Sequence, residues 1–269
     1  MTMPTIPPEI QMAMKKVKHK IVVLSGKGGV GKTTIATNLA VSFAERNLAT
    51  GILDVDIYGP NVPKLLGLEG QHPHTDGEQI EPVVGPLGIK VMSMGFLLRH
   101  EDDAVAWRGP IVAKAISQFL GNVRWDELDM LVVDLPPGTG DEILSILQLI
   151  PDITGVVIVT TPQEVAVLDA RRATQLVKKM GTPIMGIIEN MAEFTCPSCG
   201  ESHRLYGEGA AEDAAKEYEV DYLGSLPLDP DIIKLSDSGT PFVTNQKDSL
   251  STAAFEALVE RISEKVGLS

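Results

Sequence analysis

Eight consecutive residues, Gly26-Lys27-Gly28-Gly29-Val30-Gly31-Lys32-Thr33, follow the spacing G-x-x-x-x-G-K-[ST]. Glycines at this spacing let the backbone turn with its N–H groups inward. With the start of a following helix, from Thr34 on, those groups form a cradle for phosphate oxygens. Lys32 brings a point charge to the β- and γ-phosphates of a nucleotide such as ATP, and Thr33 offers a hydroxyl to Mg²⁺. Such a site also needs carboxylates. Asp134 closes the apolar run 130–133 and is placed to hold the Mg²⁺ through water. Asp54 and Asp56 close the run GILDVD (51–56) at the same sheet edge, and strand alternation sends neighbours of this spacing to opposite faces unless the strand has ended. Asp56, nearer the following loop, is assigned to orient the attacking water and Asp54 to support the magnesium shell, with the reverse pairing as the alternative.

Cys196 and Cys199 form a C-x-x-C and are the 2 cysteines of the chain. Zinc or an iron–sulfur cubane held by thiolates takes four ligands, so one chain supplies half a site. Two chains paired about a two-fold axis bring both motifs together as Cys₄. His203 added to the two thiols makes three ligands, still one short. A bridging 4Fe-4S cluster, a bridging Zn²⁺ and a redox dithiol all fit the motif, although a thioredoxin-like dithiol would sit at a helix start.

These residues need a scaffold that gathers strand ends. Short β-branched runs alternate with helical patterns: KIVVLS (20–25), GILDVD (51–56), IKVMSM (89–94), MLVVDL (130–135), GVVIVTT (155–161), IMGIIEN (184–190) and DYLGSLP (221–227). Most are continuous apolar runs, as in parallel strands covered on both faces. Ile35, Leu39 and Phe43 make one stripe of a helix over 34–46, and a second helix over 164–180 ends with Lys178, Lys179 and Gly181. The alternation predicts an α/β fold with a doubly wound, mostly parallel sheet whose ligand lies at the carboxyl ends of the strands. Residues 57–88 and 191–207 break the rhythm as surface excursions, the second carrying both cysteines. Phe255, Leu258, Val259, Ile262 and Val266 share one face of a C-terminal helix expected to pack on the core. One domain over 20–269, preceded by an N-terminal extension at 1–19, accounts for the pattern.

Composition excludes several classes. With 36 acidic against 23 basic side chains in 269 residues, the formal charge of −13 disfavours nucleic acid and anionic membrane as partners. The run Lys15, Lys16, Lys18, His19, Lys20 reads as a solvated approach to the first strand. The most apolar window, 143–159, is broken by Gln148, Pro151 and Asp152, and no h-region follows the N-terminal lysines. Without an export signal or a disulfide framework, the expected compartment is a reducing cytoplasm.

Lys27 sets the phosphate turn apart. The form K-G-G-V-G-K-T resembles the deviant Walker A motif of the MinD/ParA class of dimeric P-loop ATPases, of SIMIBI type. Within that class DIYGPNVPKLLG (56–67), WRGP (107–110), DLPPGTGDE (134–142), IENM (189–192) and CPSC (196–199) resemble the Mrp/ApbC/Nbp group of iron–sulfur cluster carriers. The resemblance covers nearly all of residues 20–240. It implies a slow, Mg-dependent ATPase whose homodimer bridges a 4Fe-4S cluster and hands it to apo-proteins. It further implies that Lys27 reaches the partner's nucleotide, that Gly138 belongs to a switch loop sensing the γ-phosphate, and that Asn190 bonds the adenine edge. Some relatives carry an extra N-terminal domain or cysteine cluster, and residues 1–19 hold neither. A positioning ATPase of the ParA or MinD kind, with zinc between its subunits, is the alternative.

Overall fold

The computed structural model describes residues 6–98, 109–246 and 249–268. Trp107 and Arg108 of the WRGP motif lie outside them. The strands are β1 (Val17–Ser25), β2 (Thr50–Asp54), β3 (His74–Thr75), β4 (Ile80–Glu81), β5 (Val83–Val84) and β6 (Lys90–Ser93). They continue with β7 (Leu128–Asp134), β8 (Gly155–Thr160), β9 (Ile184–Glu189), β10 (Phe194–Thr195), β11 (Ser202–His203) and β12 (Tyr222–Ser225). The helices are α1 (Pro8–Met14), α2 (Lys32–Glu45), α3 (Val62–Leu65), α4 (Gly109–Gly121) and α5 (Asp141–Leu149). After them come α6 (Glu164–Lys179), α7 (Ala210–Glu217), α8 (Pro230–Asp237), α9 (Phe242–Asn245) and α10 (Leu250–Lys265).

Eight strands form one sheet in the order β12-β9-β8-β1-β7-β2-β6-β5. All pairs are parallel except β5 with β6. The chain leaves the central β1 toward β2 on one side and later reaches β8 on the other, which opens a crevice at the carboxyl ends of β1, β7 and β8. Ile21, Val22, Val23 and Leu24 of β1 are fully buried. Their alternation feeds two apolar layers. Val22 and Leu24 face a layer with Ile10, Phe119, Ile146, Val177 and Ala214, from α1, α4, α5, α6 and α7. Ile21 and Val23 face Leu39, Phe43, Phe242, Phe255 and Leu258, from α2, α9 and α10. The expected apolar stripe of the C-terminal helix is therefore core, its Phe255 ring set edge-on to Phe242 with centroids 5.3 Å apart. Among the described residues no helix is long and apolar enough to cross a membrane.

Three local expectations change. Residues 8–19 are not a detached approach: Ile10 and Met14 are fully buried and β1 begins at Val17. Lys20, expected in solvent, is 3% exposed and donates to the carbonyls of Met14 and Val17, at 3.3 and 3.0 Å. The Met14 carbonyl lies at the end of α1, without a helical partner, and the Val17 carbonyl opens β1; the ammonium satisfies both while burial pulls its pKa down. The excursion 57–88 is only partly surface. It contains α3, the β3–β4 ribbon and edge strand β5, and it buries Val62, Leu66, Leu68 and Val83.

β2 ends at Asp54, two residues before the end of the expected run. Alternation therefore no longer governs Asp56, and the two carboxylates are free to approach one cleft.

Candidate functional site

The phosphate turn spans the gap between β1 and α2, as its spacing requires. A Cβ at Gly26 would stand 2.2 Å from the carbonyl carbon of Asp169, because α6 crosses directly over the turn. Gly31 has φ +83°, a left-handed conformation costly for other residues, and it ends the turn at the start of α2. Its own Cβ would meet the Asn190 side-chain nitrogen at 2.2 Å.

The acidic residues converge on the turn. In register, Asp54 on β2 stands beside Asp134 on β7. Lys32, 5% exposed, donates to Asp134 Oδ1 at 2.7 Å and lies 3.6 Å from Asp56 Oδ2. Thr33 Oγ1 donates to Asp134 Oδ2 at 2.7 Å. Thus Lys32, Thr33, Asp134 and Asp56 form one connected group. The hydroxyl and carboxylate oxygens are the hard donors that Mg²⁺ takes, so the residues present fit that ion. Asp56 Oδ1 also accepts from the N–H groups of Tyr58 and Gly59, each at 3.1 Å, which fixes the start of the DIYGPN loop. Glu142, at the start of α5, is pushed up by burial and by the charge of Asp56.

Asp54 is turned differently. Its carboxylate accepts from Ser93 Oγ at 2.8 Å, from Asp56 N–H at 3.0 Å and from Val62 N–H at 3.3 Å. Ser93, which the sequence did not single out, thus holds it from β6. Full burial and the neighbouring Asp134 raise the Asp54 pKa to about 8, against these donors. Between about 4, where an unfolded Asp ionises, and about 8, the folded chain retains a proton that the unfolded chain has released. Rising pH across that window therefore favours unfolding. The nucleotide-free protein should lose urea resistance from pH 5 to pH 8.5, and Asp54→Asn should flatten the slope. Equal slopes in the two proteins would refute this origin.

Beside the turn lies a cleft of about 470 Å³ lined by Gly28, Lys32, Thr33, Asp56 and Pro137, among others. A second hollow of about 230 Å³ continues from Gly31 and Thr34 past Asn190, Pro227 and Ile232. Its mixed apolar and amide lining suits a flat aromatic base. Asn190 Nδ2 donates to Val30 O at 2.9 Å, so this side chain both lines the hollow and braces the turn. Gly138, with φ +112°, ties its N–H to Ser25 O at 2.8 Å, bringing the 134–142 loop against the turn.

Lys27 points elsewhere. Its ammonium donates to Gln163 Oε1 at 3.3 Å, outside the Lys32 group.

The cysteines occupy the turn of a hairpin made by β10 and β11. Cys196 N–H donates to Glu201 O at 2.9 Å and Gly200 N–H to Cys196 O at 2.8 Å, closing a tight loop with Gly200 at φ +75°. The two thiols are not bonded to each other, and Cys199 is exposed. The N–H groups of Ser198 and Cys199 lower the Cys196 pKa, so the loop is prepared to hold a thiolate. Among the described residues no three His, Cys, Asp or Glu side chains are grouped to hold a metal ion. His203 accordingly does not complete a one-chain site. The hairpin springs from β9 just past Asn190, and Met191 there adopts φ +59°.

A family model described as NUBPL iron-transfer P-loop NTPase, of the ParA group, matches residues 16–263. The chain belongs to this family. A relative from Methanocaldococcus jannaschii, named iron-sulfur cluster carrier protein, is 50% identical over 258 residues, covering 96% of this chain and 88% of that one. One of the same name from Saccharolobus solfataricus is 48% identical over 254 residues, covering 94% and 86%. Among solved structures, a nucleotide-binding protein from Archaeoglobus fulgidus in complex with ADP has a TM-score of 0.76 at 43% identity, covering 87% of this chain and 91% of that one. The cell division ATPase MinD of Pyrococcus furiosus, at 23% identity and TM-score 0.66, covers 92% of this chain and 99% of its own and shares the fold. The resemblance drawn from the motifs and the single doubly wound α/β domain thus both hold for this NUBPL-type NTPase.

Proposed function

We propose that the protein is a homodimeric, Mg-dependent ATPase that binds a 4Fe-4S cluster between its subunits and passes it to apo-proteins. The observation that carries this reading is a pair of thiols in one exposed hairpin turn, with Cys196 favoured as thiolate and, among the described residues, no third ligand grouped with them, on a hairpin that begins four residues after the side chain that braces the phosphate turn. Two such chains offer four thiolates, the number a cubane takes. The names of the relatives from M. jannaschii and S. solfataricus support the same cargo, and the ADP complex of the A. fulgidus protein supports a nucleotide in the cleft.

In the nucleotide half, the turn N–H groups and Lys32 hold the phosphates, and Asn190 contacts the base. Thr33 and Asp134 would hold a magnesium ion, which would supply neutralisation of the phosphate charge. Asp56, fixed by two loop amides, orients the attacking water. Asp54 supports this shell from behind by anchoring the loop through Asp56 and Val62. Lys27 of each chain reaches the partner's nucleotide and stabilises charge on the transferred phosphoryl group. Closure of the dimer by ATP then changes the spacing of the two cysteine hairpins. The surplus of acid groups leaves nucleic acid and anionic membranes as disfavoured partners, and the cytoplasm is the compartment in which thiols stay available for such a cargo.

Protein purified without oxygen, or reconstituted with iron and sulfide, should be brown, with a broad shoulder near ~400 nm, and should sediment as a dimer. A colourless, zinc-bearing dimer would replace the cluster with Zn²⁺, whose filled d shell gives no such band, and would favour the ParA/MinD-type alternative. Lys27→Ala should bind ATP normally and hydrolyse it about a thousandfold more slowly, the low end of what an inserted cationic finger supplies. Unchanged turnover in that variant would remove the lysine from the reaction.

A further inference from the structure

We infer that Gln163 is a positioning residue that holds the Lys27 amine against its own subunit until a second copy of the chain engages it. The inference rests on the reading of Lys27 as the group that serves the partner's nucleotide. Lys27 belongs to the phosphate turn, yet its ammonium is not in the Lys32–Asp134–Asp56 group; it donates across 136 positions to Gln163 Oε1 at 3.3 Å. Gln163 occupies the N-cap position of α6 but makes no side-chain cap hydrogen bond. Ser, Thr, Asp and Asn are the residues that suit that position for capping, so glutamine here is not explained by the helix.

The geometry is imposed by the backbone. Gly26 lets α6 pass so close that a Cβ would collide with the Asp169 carbonyl, which fixes the spacing between the turn and the start of the helix. Lys27 and Gln163 therefore meet without either chain segment having to move. Just beyond, Val165 and Leu168 of the same helix are 67% and 47% exposed, apolar side chains left uncovered beside the held lysine. A second copy seated there would meet the lysine at its edge.

A neutral amide is a weak holder. It accepts one hydrogen bond from a cation without neutralising it, and a half-exposed bond of that kind is worth about a fivefold bias in an equilibrium. Phosphate oxygens, carrying full charge, outcompete it, so the lysine transfers when a partner's triphosphate arrives. A carboxylate in the same place would hold the lysine more tightly, and a methyl group would not hold it at all.

The test uses the full chain with Mg²⁺ and a non-hydrolysable ATP analogue, reading the dimer dissociation constant by sedimentation, together with kcat for ATP at saturating protein. Gln163→Ala should tighten the dimer about fivefold with kcat unchanged. Gln163→Glu should weaken it about tenfold, and raised salt should shrink that deficit because the new pair is ionic and half-exposed. A glutamate suits the start of a helix, so this variant is expected to fold at least as well as the native chain. In a Lys27→Ala background neither substitution should shift the dimer. Shifts of the same size in that background, or none with Lys27 present, would overturn the inference. If Lys27→Ala by itself leaves hydrolysis unchanged, the underlying reading of the lysine fails, and this is read from the single variant before Gln163 is touched.

Discussion

Lys32→Ala should lower ATP affinity by two orders of magnitude or more while leaving the protein folded. This ammonium is 5% exposed and spans Asp134 at 2.7 Å and Asp56 at 3.6 Å. With nucleotide bound it is the one side-chain cation of the turn that can meet the β- and γ-phosphates from inside the cleft. Two charge-assisted hydrogen bonds at ~1.5–3 kcal/mol each correspond to a loss of roughly a hundredfold to ten-thousandfold. Removing one partner of a buried ion pair often costs ~3–5 kcal/mol of stability, because the other charge is stranded. Here Asp134 has a way out. Burial already pushes its pKa up, so the carboxyl takes a proton when the lysine is gone, and Thr33 still bonds it. The variant should therefore melt only a few degrees lower, with a native circular dichroism spectrum. Titration calorimetry with ATP and Mg²⁺ decides the matter; binding within threefold of the native protein would show that the turn's backbone alone holds the phosphates.

Loss of the cargo should be as large. Cys196→Ser is expected to reduce bound iron from about four per dimer to less than one after anaerobic reconstitution, since a cubane needs all four thiolates. The thiolate of Cys196 is favoured by the N–H groups of Ser198 and Cys199. A serine hydroxyl in that loop receives the same hydrogen bonds but does not ionise near neutral pH and offers a hard oxygen where iron–sulfur clusters take sulfur. Cys199→Ser should fail for the same reason. The hairpin contributes no buried residue to either apolar layer, so the melting temperature and ATP affinity should hardly change. That contrast separates loss of a ligand from loss of the fold. Retention of half or more of the iron in Cys196→Ser would place the cluster elsewhere.

Much of the site was legible because it is local. The phosphate turn depends on glycines within eight residues and on a strand before and a helix after them, all of which are sequence patterns. The C-x-x-C needed only its own turn, and the parallel strands announced themselves as unbroken apolar runs. Boundaries were less secure. The β2 run was read to Asp56, whereas pairing stops at Asp54, and this decided where both carboxylates go.

Ser93 and Gln163 were not legible as site residues. Nothing in their neighbours marks them; they matter because β6 lies beside β2 and because α6 crosses the phosphate turn. The burial of Lys20 is of the same kind. A run of lysines before a strand looks solvated until the end of α1 and the start of β1 each turn a carbonyl toward Lys20.

By itself, then, the order of residues determined the phosphate cradle, the thiol pair and the alternation that makes a doubly wound sheet, since each follows from backbone freedom and side-chain chemistry over a few adjacent positions. Tertiary structure alone decided that Asp134 and Asp56 share Lys32, that Asp54 is turned toward Ser93 and the loop amides, that Asn190 braces Val30 from 160 positions away, and that Lys27 rests on Gln163. The reason is physical: strand order and helix crossing choose which distant groups become neighbours, and burial then determines how their charges behave.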